Sequence, residues 1–153
     1  MRRSTSAQFD LFTNVNYLLR RAHQRAEGIF AEAMDGLDVT PRQATLLYVV
    51  REHPGASLTE VTQLGGMDRG TISEMVPRMV KRGLLTETRH AEDGRAKALT
   101  ITAEGSALVD AVVERTAGVA DEVLGTLPPE YHPLFVKMLS LMIGLERDQD
   151  PRA

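Results

Sequence analysis

The residues best equipped for chemistry are cations and hydroxyls gathered in one short stretch. Arg69, Arg78, Lys81, Arg82, Arg89, Arg95 and Lys97 lie there, interleaved with Thr71 and Ser73. Over residues 69–97, seven Lys and Arg stand against four Asp and Glu, a local net charge of +3. The 68 residues before them carry −1 and the 56 after them −5, so the overall −3 conceals a basic footprint. Guanidinium, ammonium and hydroxyl groups at this density suit phosphate oxygens and base edges, and such footprints are read locally. On charge alone, a solvated helix face accounts for the cluster equally well.

Other chemistries have less support. The four histidines, His23, His53, His90 and His132, show no paired ligand spacing, and there is no cysteine, so neither a metal nor a cofactor is expected. No nucleophile, base and oxyanion site are suggested together, so the chain does not read as an enzyme. The lack of cysteine fits a cytoplasmic protein. The N-terminal MRRSTSAQFDLF lacks an apolar core and no apolar run reaches about 18 residues, so neither secretion nor a membrane partner is expected.

The elements that must position these residues follow from periodicity and punctuation. Leu11, Val15, Leu18, Ala22, Ala26, Ile29 and Ala33 recur at helical spacing, predicting one long helix from about Phe9 to Met34. Thr40 and Pro41 open a second helix that runs to about His53. HPGAS is a turn, and Ser57 with Glu60 forms a capping box for a short third helix ending at Gly65-Gly66. Asp68 caps a fourth helix, closed by Gly83. LLTETR and AKALTIT then read as two strands with HAEDG between them. A long fifth helix is expected from Ala103 to Pro128-Pro129, and a sixth through Leu134, Met138, Leu141 and Leu145.

Short helix, glycine turn, helix and hairpin is the layout of a winged helix-turn-helix, whose second helix enters the DNA major groove. That role needs one face packed inward and the other free of bulk. At 100° per residue, Ile72, Met75, Val76, Met79 and Val80 share one face, and Gly70, Glu74, Pro77, Arg78 and Lys81 the other. Pro77 breaks a backbone hydrogen bond, yet the apolar phase runs through it, so the segment reads as one bent helix. With the proline facing outward, the freed carbonyl of Ser73 meets water.

The stretch LTEVTQLGGMDRGTISEMVPRMVKRGLLTETRHAEDGRAKALTITAEG resembles the DNA-binding lobe of the MarR family of bacterial transcriptional regulators. The matches are Asp68, Arg69, Thr71, Ser73, Arg78, Lys81, Arg82, Gly83 and Leu84, then Asp93 and Arg95, then Leu99, Thr100 and Gly105. The resemblance implies a mainly α fold with a small β-hairpin wing, in one unit over 1–153. Residues 41–102 would form the winged helix-turn-helix lobe, and 9–34 with 103–147 a helical dimerisation region. Recognition helix 69–82 would occupy the major groove and wing 85–101 the minor groove of a pseudo-palindromic operator. Arg69, Gly70, Thr71, Ser73, Glu74, Arg78, Lys81, Arg89, Arg95 and Lys97 would face double-stranded DNA, with Arg95 in the minor groove and Asp93 bracing the wing. Glu74 departs from the family pattern; a carboxylate accepts from cytosine N4 but repels phosphate.

The resemblance also implies a homodimer through Leu11, Val15, Leu134, Met138, Leu141 and Leu145. It implies a small-molecule effector as well, an aromatic acid, phenolic or acyl-CoA, held near Arg20, His23, Arg25, Phe30 and Tyr48. The function implied is a ligand-released regulator, most often a repressor. The alternative is a winged-helix module that docks protein and does not read DNA specifically.

Overall fold

The computed structural model describes residues 10–89 and 97–145, and the chain divides between residues 117 and 118 into two compact units. The first unit holds helices α1 (Val15–Ala33), α2 (Pro41–Glu52), α3 (Leu58–Gly65) and α4 (Arg69–Lys81). Strands β1 (Leu85–Arg89) and β2 (Lys97–Ile101) and helix α5 (Ala103–Arg115) complete it. The second unit holds α6 (Val119–Leu124), a 3-10 turn at Pro129–Tyr131 and α7 (His132–Met142). Among the described residues no helix is long and apolar enough to cross a membrane.

Local chemistry sets most of these boundaries. Thr40 and Gln43 satisfy each other's backbone N–H groups at 3.3 and 3.0 Å, a capping box ahead of Pro41. Ser57 and Glu60 repeat the arrangement at 3.3 and 2.8 Å for α3. At the far end of α4, Gly83 adopts φ +75°, where a side chain would be strained. Its N–H reaches the Val80 carbonyl at 2.9 Å and that of Leu84 reaches Met79 at 3.0 Å, closing the helix by a Schellman motif.

The core of the first unit lies where α2, α3, α4, the hairpin and α5 meet. Leu46, Leu47, Val50, Val61, Ile72, Val76, Met79, Leu85, Leu99 and Val109 are essentially inaccessible to solvent. The hairpin is antiparallel, with Leu85 opposite Ile101, Glu87 opposite Leu99 and Arg89 opposite Lys97. Residues expected only as a turn extend it. The Gly55 N–H donates to the Leu99 carbonyl at 2.9 Å, the Leu99 N–H donates to Ala56 at 3.0 Å, and Ser57 bridges Ala98. The start of α3 is thereby sewn to the inner strand of the wing.

Three helices differ from the sequence expectation, and the last of them, read through Leu145, ends at Met142 ahead of Gly144 at φ +71°. The first starts at Val15, not near Phe9: Asn14 accepts the Tyr17 N–H at 3.1 Å, and Asp10 caps a separate 3-10 turn at Leu11–Thr13. The expected long fifth helix is two helices, α5 and α6, parted at Thr116–Gly118. There the Thr116 hydroxyl donates to the Val112 carbonyl at 2.8 Å, and Gly118 lowers helix propensity by about 1 kcal/mol. Neither signal interrupts the apolar period from which a single helix was read.

Candidate nucleic-acid interface

α4 is a single helix that continues through Pro77, as its apolar phase requires. Ile72, Val76 and Met79 are buried and Met75 and Val80 half-buried, which seats the inward face on the core. Arg69, Gly70, Ser73, Glu74, Pro77, Arg78 and Lys81 are exposed. The outward face is thus a row of polar groups broken by one glycine and one proline ring.

Thr71 stands apart from that row. It is half-buried, and its hydroxyl donates to the Asp68 carboxylate at 2.6 Å while its N–H donates to the same carboxylate at 2.9 Å. These bonds, the hydroxyl's foremost, hold the Asp68 carboxyl below its ordinary pKa. In this arrangement the hydroxyl of Thr71 serves the helix cap. Arg82, at the other end, donates to the carbonyl of Asp38 and, at 3.0 Å, to its carboxylate, tying α4 to the loop before α2.

On the wing, Lys97 reaches diagonally across the hairpin to Glu87 at 2.9 Å, so its ammonium is already paired. Arg89 closes β1 opposite Lys97. Asp93 and Arg95, expected at the wing tip, lie outside the described residues.

Among the described residues of the first unit, neighbouring cavities run along α2. A cleft of about 390 Å³ is lined by His23 and Glu27 of α1, Arg42 and Thr45 of α2, the Gly65–Met67 turn, and Asp68 and Thr71. His23 and Glu27 lie 3.4 Å apart, one helical turn from each other. A second cavity of about 220 Å³ shares His23, Glu27 and Thr45 and adds Phe30. A third, of about 260 Å³, shares Phe30 and Thr45 and is otherwise mainly apolar, with Ala44, Tyr48, Val109, Val112, Val113 and Thr116. The wall therefore passes from charged groups beside the α4 cap to aromatic and aliphatic ones beside α5.

Of the five residues expected in an effector site, His23, Phe30 and Tyr48 line these cavities, and Arg20 and Arg25 line none of the three. Arg20 lies over the Tyr17 ring, 5.5 Å from its centre. The cleft contains a cation that periodicity could not find, Arg42, because only the packing of α1 on α2 brings it beside His23. Arg51, which lines none of these cavities, is a second cation that periodicity could not place. It lies over the Tyr48 ring at 5.3 Å and pairs with Asp110 at 2.7 Å, so it braces α2 against α5.

The family model for MarR matches residues 37–96, from the turn before α2 through β1, and stops short of β2. The HTH-type transcriptional repressor NicR of Pseudomonas putida is 27% identical over 140 residues, covering 92% of this chain and 89% of NicR. Among solved structures, Bordetella bronchiseptica BpsR, whose DNA binding is regulated by 6-hydroxynicotinic acid, superposes with a TM-score of 0.82. It is 28% identical, with 88% of this chain and 96% of that one covered. The transcriptional repressor CouR, bound to a 23-mer DNA duplex, gives a TM-score of 0.78 at 26% identity over 86% and 94%. Residues 37–96 thus match the MarR family model, and over most of its length the chain is similar in sequence and fold to winged-helix transcriptional regulators of that kind.

Proposed function

We propose that this protein is a homodimeric, operator-binding repressor released by a small aromatic acid. The observation that carries the reading is the two-faced α4, with its apolar residues buried and Ser73, Arg78 and Lys81 exposed on the other side. α4 would lie in the major groove, with Arg78 and Lys81 toward phosphates and Arg95 of the wing in the minor groove. CouR in its DNA complex supports the same use of this fold.

The dimer rests on apolar surface that one chain leaves uncovered. Leu11 and Val15 are 43% and 63% exposed in the first unit. Leu134, Met138, Leu141 and Leu145 are each more than half exposed in the second. Apolar patches this dense mark interaction surfaces, and we assign them to a second copy of the chain.

For the effector, the Arg42 guanidinium, in a cleft that also holds His23, Glu27 and Asp68, and an apolar end with Phe30 and Tyr48 suit a small aromatic ring bearing a carboxylate. Regulation of BpsR by 6-hydroxynicotinic acid supports that class. A ligand wedged along α2 would bias the spacing of the two recognition helices, and such coupling is typically about 1–3 kcal/mol.

The test is fluorescence anisotropy with duplex DNA from immediately upstream of the protein's own gene, against a shuffled duplex at the same salt. A preference of about 10³-fold or more, reversed by an aromatic acid, is expected. Equal, weak and strongly salt-dependent binding to native and shuffled duplexes would favour a protein-docking module.

A further inference from the structure

We propose that Glu74 and Pro77 select the operator bases, Glu74 by accepting a hydrogen bond from a cytosine N4 amine and Pro77 by covering the methyl group of a neighbouring thymine. The proposal rests on the DNA-binding reading above and names what that surface recognises.

Residues Gly70, Glu74, Pro77 and Lys81 form the central stripe of the outward face of α4, and all four are exposed. Recognition helices meet base edges with their N-terminal part. That part of the stripe holds no cation, so Arg78 and Lys81 sit farther along, nearer the backbone's phosphates. The longest side chain in that part of the stripe is a carboxylate; Arg69, also exposed in the first turn, lies about 100° to one side of Gly70. Among the described residues Glu74 makes no hydrogen bond or ion pair, although Arg78 stands one turn away at a spacing that often pairs. Its oxygens remain available to a partner.

An ionised carboxylate accepts and cannot donate. In the major groove guanine presents acceptors, thymine an acceptor and a methyl group, and adenine a donor beside the N7 acceptor. Cytosine presents a donor amine with no acceptor of its own next to it, so it is the base that meets a carboxylate without repulsion. One turn before Glu74, Gly70 has no side chain, and a Cβ there would meet only Asp68 Oδ1, at 3.1 Å. The helix backbone can therefore come close at this end, which brings the short reach of Glu74 to the base edge.

Pro77 offers saturated ring carbons and no N–H, and its counterpart in the groove is the thymine methyl. Three helical residues advance about 4.5 Å along the axis, against about 3.4 Å per base step. Glu74 and Pro77 thus address adjacent or near-adjacent bases. A glycine, a carboxylate and a proline on one stripe, each an odd choice for gripping phosphate, together make a reader of a cytosine and a thymine.

The experiment is selection from a randomised duplex library, sequenced after binding at one fixed salt, with the full chain and its Glu74→Gln, Glu74→Ala and Pro77→Ala variants. All three substitutions are at exposed positions, and thermal melting verifies the fold of each. The wild type should enrich cytosine at one position of each half-site by about 5-fold or more. Glu74→Gln should move that preference to adenine, because an amide can bond N6 and N7 together. Glu74→Ala should abolish it and tighten binding to all sequences by removing a charge that repels phosphate. Pro77→Ala should relax a thymine preference next to it. Identical base preferences in the wild type and both Glu74 variants would overturn the proposal while leaving DNA recognition intact. A wild type that enriches no sequence would overturn both.

Discussion

Replacing Gly105 with alanine should unseat α5 from the winged lobe. A Cβ at this position would stand 2.2 Å from the Leu84 carbonyl oxygen and 2.8 Å from Ile101 Cγ1, where ordinary contact begins at 3.4 Å. α5 would have to retreat by about 1 Å, and backbone is what blocks it. Three bonds hold the helix in place. The Thr102 N–H reaches the Leu84 carbonyl at 3.1 Å, the Thr102 hydroxyl donates to Gly83 at 2.7 Å, and the Gly105 N–H donates to that hydroxyl oxygen at 3.0 Å. Overpacking costs about 1–3 kcal/mol, and breaking one of these bonds adds about 1 kcal/mol. The better helix propensity of alanine returns at most about 1 kcal/mol.

The net loss, about 1–3 kcal/mol, should lower Tm by roughly 2–12 °C for a chain of this size. Gly28→Ala is the internal control: Gly28 lies inside α1 with nothing within 4 Å of the added carbon. The same substitution there should raise stability by about 0.4–1 kcal/mol. Scanning calorimetry of both variants at equal protein concentration provides the comparison, since dimerisation would make Tm concentration-dependent. A Gly105→Ala melt at or above wild type would refute the close approach of α5 to Leu84.

Pro77→Ala should raise Tm by restoring a donor for the Ser73 carbonyl, worth up to about 3 kcal/mol; an unchanged melt would show that α4 is unstrained at the proline. Thr71→Val should return the Asp68 carboxyl toward its ordinary pKa, as followed by NMR titration, because the hydroxyl is the chief cause of the depression. The stabilisation tied to that depressed pKa is present above the ordinary carboxylate range and fades as pH falls through the folded value. The stability gap between wild type and Thr71→Val should therefore narrow on acidification, and a gap independent of pH would assign the effect to packing. Arg95→Ala should lose most operator affinity while fold and dimer persist; unchanged binding would remove the wing arginine from the mechanism.

What the sequence made legible was chiefly local. Ser57, Asp68 and Gly83 announce helix ends through neighbours three or four residues away, and the inward face of α4 is a matter of period. That period also explains why Pro77 could be kept inside one helix. The pieces that stayed hidden depend on distant contacts. Nothing near Gly105 in sequence reveals that its missing side chain makes room for the Leu84 carbonyl. Arg42 joins His23 only when α1 packs on α2, and Lys97 finds Glu87 only once the hairpin register is set. The parting of α5 from α6 was missed for another reason. Val112, Val119 and Val123 keep the helical phase across Thr116–Gly118, so the pattern carries on where the hydrogen bonding does not.

The bond from the Leu99 N–H to the Ala56 carbonyl joins the start of α3 to β2. Thr102 fastens that strand in turn to the end of α4. α4 and the hairpin therefore behave as the two prongs of one stiff fork, and neither can swing without carrying the other. A signal that loosens such a fork from DNA has little to gain by bending it. In the proposed dimer, a pair of forks, it would act on the gap between them, like the screw of a calliper, so helical phasing between half-sites should decide release more than the affinity of either half.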